Sequence, residues 1–340
     1  MSDSHDARNP PADAGLSRRE LLRRGAVAAG ALCLPRAMAQ HSPRPSRGPA
    51  RLADLPWWLD KPEDSRVVEV RSQRVARGSV IDQRILARMV ETGLTAFTGQ
   101  QTASDAWRTI LGSARKIVLK FNDVGSEVIQ TNTPVADALL TSLKRAEYDP
   151  ALITLVETGS STGREFGVKS PIGGWGAAIS VGSEQEQLAA YLYNCDAVIN
   201  VPVIKTHQIA GMSCCMKNLS HALIRRPAMY HGGGCAPAVG QIVGNKEISS
   251  RLCLNVVNAL RIVIRNGPEA READLVEFGG LLFGYDPAAL DISALDALEQ
   301  ERRRVGETAA IIAPSLESAI EIGVGRTPTA VERLTADGAR

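Results

Sequence analysis

A chain of 340 residues can build one large domain or two small ones, and either can bury a sizeable core. The composition, 44% apolar and 22% charged, is that of a globular protein, and an aromatic content of only 4% argues against a base-stacking or sugar-stacking surface. Of the 39 basic and 37 acidic residues, six and four lie within residues 1–39; the remainder holds 33 of each, which gives no electrostatic reason for a nucleic-acid partner.

The chain opens with Ser17-Arg18-Arg19-Glu20-Leu21-Leu22-Arg23, a ten-residue apolar run Gly25–Leu34, and Ala37-Met38-Ala39. A paired arginine, a short apolar segment and small residues at a cleavage site resemble a twin-arginine export signal over 1–39. The implied partner is the twin-arginine translocation machinery, and the implied location is the periplasm. The run is too short to span a bilayer, which takes roughly 20 residues, so no stable membrane anchor is expected. Residues 40–56, rich in Pro, Arg and Ser, read as a flexible linker. Five cysteines follow (Cys195, Cys214, Cys215, Cys235 and Cys253), so at least one would stay unpaired in an oxidising compartment. No C-x-x-C pair occurs, which argues against a ferredoxin-type cluster or a zinc ribbon.

A single α/β domain is expected over 57–325, with a frayed tail over 326–340. Residues 66–70 read as a strand, and Ile81, Ile85 and Met89 mark one face of a helix over 80–97. A further helical turn is expected over 105–111 and a strand over 116–121. Thr133 and Pro134 read as the start of a helix running to about 145. A strand follows over 152–156, then a glycine-rich surface loop over 159–182. Ser183 reads as the cap of a helix over 184–193, and 197–203 as the next strand. Strands over 252–257 and 277–283, a helix opened by Asp286-Pro287 and running to about 304, and a last short strand over 318–324 complete the pattern. Strands that are apolar throughout and alternate with helices predict a mostly parallel sheet with helices on both faces. In such a sheet the site lies at the carboxyl ends of the strands.

Polar groups gather at those ends: Lys120 and Asn122, Glu157, then Lys205 and His207. Three of the four histidines beyond residue 39 lie between 207 and 231. A helix over 213–223 would put Cys214, Lys217/Asn218 and His221 on one face, with Cys215 turned away. In this reading Lys205 and Lys217 anchor an anion, and His207 works as an acid/base group with them. Lys120, Asn122, Glu157, Asn218, His221, Asp286 and Asp291 line the same pocket. His207, Cys214, His221 and His231 could also supply ligands to zinc, iron or nickel, although their spacing matches no ligand signature, so both metal and cofactor stay unassigned. Adjacent cysteines on a helix diverge, so no zinc is expected through Cys214 and Cys215. Gly232-Gly233-Gly234 lacks a nucleotide-loop context, and no G-x-S-x-G elbow is present.

The segments Asn200-Val-Pro-Val-Ile-Lys-Thr-His207, Met216-Lys-Asn-Leu219, Asp286-Pro-Ala-Ala-Leu-Asp291 and Lys120-Phe-Asn122 together resemble the family called domain of unknown function 362. The likeness spans roughly 66–325. It implies an α/β fold and a site at these motifs, and it names no reaction. Where that family usually has an acidic residue after the strand near 252–257, this chain has Asn258. A more distant likeness to the nickel-dependent lactate racemase group is a fold-level analogy. Two functions follow as expectations: an exported protein or enzyme acting on a small anionic ligand or cofactor, or a non-catalytic protein handling a ligand or metal for an exported redox system.

Overall fold

The computed structural model describes residues 56–158, 162–163, 166–169 and 173–337. The segment expected to be an export signal, and nearly all of the expected linker, lie outside these residues. In chain order the elements are β1 (Val67–Arg71), β2 (Ala76–Arg77), β3 (Val80–Ile81), α1 (Gln83–Thr98), α2 (Ala103–Leu111), β4 (Ile117–Lys120), α3 (Ser126–Ile129), α4 (Asn132–Arg145) and β5 (Ile153–Val156). Then come β6 (Trp175–Val181), β7 (Glu184–Ala189), β8 (Ala197–Asn200), β9 (Val203–His207), β10 (Gly211–Ser213), α5 (Cys215–Asn218), α6 (Ala238–Val243) and α7 (Lys246–Ser249). The chain closes with β11 (Leu252–Val263), β12 (Leu275–Gly284), α8 (Pro287–Arg304), α9 (Pro314–Glu321) and β13 (Val331–Thr335).

The main sheet runs β13-β1-β12-β11-β8-β4-β5, with β9 also on β11 and β10 on β9. Strands β5, β4, β8 and β11 are mutually parallel, and β12 pairs antiparallel with both β11 and β1. The fold is therefore α/β with a mixed, mostly parallel sheet. Strand alternation explains why these runs are apolar throughout. Ile117 and Leu119 enter one core with Leu86 and Met89 of α1, Trp107 of α2 and Leu139 of α4. Val118, between them, enters a second core with Ile242 of α6, Leu298 of α8 and Leu316 of α9. Both faces are thus covered, and each buried Val, Leu or Ile side chain contributes roughly 1.5–3 kcal/mol. Helix α1 lies so close to β12 that a Cβ on Gly93 would sit 2.0 Å from the Phe283 ring.

Several expectations need correction. The helix expected over 184–193 is instead strand β7 of a hairpin, Val181 pairing with Glu184 across a two-residue turn in which Gly182 has φ +60°. That turn needs a residue tolerant of positive φ, and the Gly-Ser pair supplies it. Part of the expected loop over 159–182 is strand β6. The strand expected over 197–203 breaks after Asn200, because Pro202 has no N–H for the ladder; its carbonyl instead accepts the N–H of Asn258. The strand expected over 318–324 is the end of α9, which begins with Pro314 in its first turn. The expected tail contains β13, which pairs in parallel with β1. Helix α4 begins at Asn132, ahead of the expected Thr133 cap. The 213–223 helix is reduced to the single turn α5, flanked by β10 and a 3-10 turn at His221–Leu223.

Candidate functional site

One row of residues crosses the carboxyl end of the parallel strands: Val156, Lys120, Asn200 and Asn255 sit side by side on β5, β4, β8 and β11. Lys120, Asn200 and Asn255 are fully buried. Buried polar groups at these positions require partners, and each has them. The Lys120 ammonium donates to Phe121 O at 2.6 Å, Glu157 Oε2 at 2.9 Å and Asn218 Oδ1 at 3.0 Å. Asn218 Nδ2 donates to Asn200 Oδ1 at 2.7 Å, and Asn200 Nδ2 donates to Asn255 Oδ1 at 2.8 Å. Asn255 Nδ2 ends the chain on Tyr285 O at 2.9 Å. At the other end Asn122 Nδ2 also donates to Asn218 Oδ1, and its own Oδ1 accepts from the Lys205 ammonium. Lys205 donates a second bond to Val124 O at 2.8 Å.

Glu157 reaches Lys120 from a left-handed backbone, φ +56°, a conformation costly for a residue with a Cβ. Burial pushes both members of this pair toward neutrality, Lys120 below the usual lysine range and Glu157 above the usual carboxylate range, while each opposes the shift of the other. Burial also lowers Lys205, to about 8, with Asp123 and Glu157 pulling the opposite way.

A second group surrounds Lys217 of α5. Lys217 Nζ sits 3.3 Å from His231 Nε2, and burial pushes this lysine too down to about 8. His221 and His231 meet edge to face with ring centroids 4.6 Å apart, and His207 stacks on His231 at 6.1 Å. The His207 Nδ1 accepts the N–H groups of Ile209 and Ala210 at 3.1 and 3.2 Å, so its proton lies on Nε2. Burial, then the nearby Lys217, lowers His207 to about 4 and His221 to about 3. His207 and His221 are therefore neutral at pH 7, and burial and then Lys217 lower His231 in the same direction. An open depression of about 430 Å³ borders His207 and Thr206, with Arg265, Asn266 and Arg302 on its far side.

Adjacent residues of the one-turn helix α5 thus face different ways: Asn218 joins the amide chain and Lys217 joins the histidines. The carboxylate that fixes this turn is Asp291, which accepts the N–H groups of Cys215 and Met216 and is itself 3% exposed. Burial pushes Asp291 up to about 7. It supports the site from beneath and lines no opening.

Asp286 does not belong with the others. It caps α8 through the N–H groups of Ala288 and Ala289, and it accepts from Ser65 Oγ and Arg326 N. The expected shared face of Cys214, Lys217 and His221 does not form, because the helix ends at Asn218. Cys214 and Cys215 do not diverge either. Their sulfurs lie 4.0 Å apart, and both are grouped with the Asp291 carboxylate. Of the expected residues, the fold brings Lys120, Asn122, Glu157, Lys205 and Asn218 into one network and His207, Lys217 and His221 into a neighbouring one.

The sequence reading passed over Asn255 and Cys235. Asn255 interrupts the apolar run LCLNVV with one buried amide, and that interruption is the signal that could have found it. Asn258 is fully buried and bonds Thr131 and Asn132, one step behind Asn122, since Asn132 Nδ2 donates to Asn122 O. Among the described residues no helix is long and apolar enough to cross a membrane.

Among solved structures, the chain is similar to the lactate racemase apoprotein from Thermoanaerobacterium thermosaccharolyticum, at 12% identity and a TM-score of 0.37, covering 69% of this chain and 58% of that one. It is similar also to a Thermotoga maritima protein solved by a structural genomics consortium, at 10% identity and a TM-score of 0.37, covering 72% and 60%. The chain spans about three fifths of the length of these structures. No curated protein matches it. The model of one family, described as domain of unknown function (DUF362), matches residues 103–296, more than half of the sequence, and the chain belongs to that family.

Proposed function

We propose that this protein binds a small anionic molecule between Lys205 and Lys217, with His207 at the edge of the site as a neutral hydrogen-bond donor. The observation that carries the reading is a missing counter-charge. Lys205 and Lys217 are 1% and 7% exposed, yet among the described residues neither ammonium has a carboxylate within 4.0 Å. Lys205 is held by an amide oxygen and a backbone carbonyl, and Lys217 by an imidazole. A buried cation without a counter-ion is costly, and an anion entering between the two would supply the charge both lack.

Lys120 differs, because Glu157 already answers it. Its part is to hold Asn218 and, through it, the orientation of Asn122 and Lys205. The His207 Nε2–H can donate a hydrogen bond to an anion, but with Nδ1 occupied by two backbone N–H groups the neutral ring carries no transferable proton near neutrality. Thermal unfolding of the full chain with inorganic phosphate, sulfate and short carboxylates tests the reading. Stabilisation by an anion that disappears in both Lys205→Met and Lys217→Met supports it. An unchanged shift in the two variants would refute it.

The same proposal includes export through the twin-arginine route, on the strength of Arg18-Arg19 and the Ala37-Met38-Ala39 site. Replacing both arginines with lysine should keep the precursor in the cytoplasm, and the exported form should begin at Gln40. Undiminished export of the Lys-Lys form would end this part of the proposal.

A further inference from the structure

The segment from His221 to Cys235 contains an arrangement that anion binding does not require. One ring nitrogen from each of His221 and His231 and the sulfur of Cys235 all lie within 4.8 Å of one another. These three donors come from a loop, not from a helix face, and the backbone bends to bring them in. Gly233, Gly234 and Cys235 have φ of +59°, +68° and +67° in succession. Two glycines adopt this conformation freely, but Cys235 does so at a steric cost. The consequence is a fully buried thiol turned back toward the two imidazoles.

The hydrogen bonds around the rings fix which nitrogen is offered. His231 Nδ1 is 3.0 Å from Pro227 O, so it carries the proton and Nε2 holds a lone pair. His221 Nε2 faces Tyr230 O at 3.2 Å, and a carbonyl only accepts, so Nε2 carries the proton and Nδ1 holds the lone pair. His221 Nδ1 is 3.1 Å from Ser220 Oγ, a hydroxyl that can donate to Lys217 O at 3.1 Å instead. Imidazole ligands of metals are typically held in this way, with the second nitrogen donating to a carbonyl or hydroxyl. A cation already stands at the meeting point, because the Lys217 ammonium lies against His231 Nε2.

We propose that His221, His231 and Cys235 form a site for a borderline-soft divalent metal ion of the zinc class, which competes with the Lys217 ammonium for the same donors. Two imidazoles and one thiolate match the nitrogen and sulfur preference of such an ion and leave a fourth position for water or an anionic ligand. A tetrahedral ion about 2.0–2.3 Å from its ligands holds them about 3.3–3.8 Å apart, so donors that stand within 4.8 Å of one another need to close by at most about 1.5 Å. The Cys214, Cys215 and Asp291 group is the weaker candidate, because both oxygens of its carboxylate are already committed to N–H groups. The proposal goes beyond anion binding and does not depend on it.

Cobalt(II), a spectroscopic stand-in for zinc, is titrated into the full chain after treatment with a chelator and a reductant. The expected result is one cobalt per chain with a thiolate-to-cobalt charge-transfer band in the near ultraviolet. Cys235→Ser should abolish the band, and Cys214→Ser/Cys215→Ser should keep it. His231→Gln, which leaves every thiol in place, should weaken uptake by at least about tenfold. Lys217→Met removes a positive charge beside the ion and should tighten uptake by at least about tenfold. Unfolding of the metal-free variants, compared with wild type, shows that each is folded before it is scored. Absence of saturable uptake, or a band that survives Cys235→Ser and is lost in Cys214→Ser/Cys215→Ser, would overturn the proposal. Anion binding measured with chelator present reports on the other reading separately.

Discussion

Two neighbouring regions of the molecule handle buried polarity in opposite ways. Along the sheet edge, Lys120, Asn122, Asn200, Asn218 and Asn255 satisfy one another in a continuous chain, and a carboxylate offsets one of the charges. Around Lys217 the neighbours are the His221 and His231 imidazoles and the Cys235 thiol on irregular backbone, with His207 beside them at the end of β9. The first arrangement gathers at the strand ends and satisfies its hydrogen bonds without a ligand, although the Lys205 charge beside it touches no carboxylate. The second is held by loops and has donors and a charge left to offer. A complete network fixes geometry, whereas an incomplete one binds.

The largest expected effect breaks the complete side. Asn218→Ala would strip an acceptor from Lys120 and Asn122 and a donor from Asn200, all buried. A loss of about 3–5 kcal/mol in urea unfolding is expected, as for breaking a buried charged network. A loss below about 1 kcal/mol would show that the chain of amides is not the support we describe.

Lys205→Met sharpens the contrast, because the same network loses a charge that Asp123 and Glu157 answer only from beyond contact distance. Removing the desolvated ammonium offsets the two oxygens left without a donor, so unfolding stability should change by only about 1 kcal/mol in either direction. Anion affinity should fall by about 1.5–3 kcal/mol, roughly ten- to a hundredfold. Equal losses of stability and affinity would instead mark Lys205 as a structural residue.

The pH dependence separates the two cations from the histidines. A lysine lowered by burial to about 8 holds its proton at pH 7 and loses it as the pH rises through that value. Anion affinity should therefore be level from about pH 6 to 7.5 and fall by up to about tenfold per unit above pH 8. Stability of the ligand-free protein has the opposite sign. The cost of burying charged Lys205 is fully present below its folded value near 8, and it is relieved between there and the unfolded value near 10.5, where only the unfolded chain keeps the proton. His207, lowered to about 4, contributes nothing to this profile near neutrality. An affinity that dropped through pH 6–7 would make an imidazolium the anion anchor in place of the lysines.

The smallest expected effect concerns Asn258. Its amide bonds Thr131 and Asn132 behind the site and touches no opening. Asn258→Asp removes the N–H donor that Thr131 Oγ1 and Asn132 Oδ1 accept from and buries a new carboxylate, whose cost should be relieved by protonation. A cost of about 1–3 kcal/mol at pH 7, shrinking as the pH falls toward 5, is expected in urea unfolding.

How much of this was legible in the sequence follows from the physics of each segment. Strands β4, β5, β8 and β11 are buried on both faces, so their apolar runs were visible, and the polar residues that end them marked the sheet edge. Helix α1 was legible because Ile85 and Met89 repeat at helical spacing and Asp82 caps it. The hairpin of β6 and β7 was missed because Glu184-Gln-Glu-Gln carries no apolar alternation and only the Gly182-Ser183 turn betrays it. The length of α5 could not be read locally, since it is fixed by Asp291 about 75 residues further on. For the same reason the Asp286 motif looked like a site element and turned out to be a helix cap. The stretch from 205 to 221 is dense in ionisable groups, but its division between two regions depends on Lys217 and Asn218 pointing apart.

The most direct test of the anion site is calorimetric titration of the full chain at pH 7, chelator present, with whichever of inorganic phosphate, sulfate or a short carboxylate stabilises it most. The account predicts saturable binding of one anion per chain, weakened about tenfold or more in Lys205→Met and in Lys217→Met, with both variants folded. Binding of equal strength in wild type and both variants, or no saturable binding of any of these anions, would contradict it.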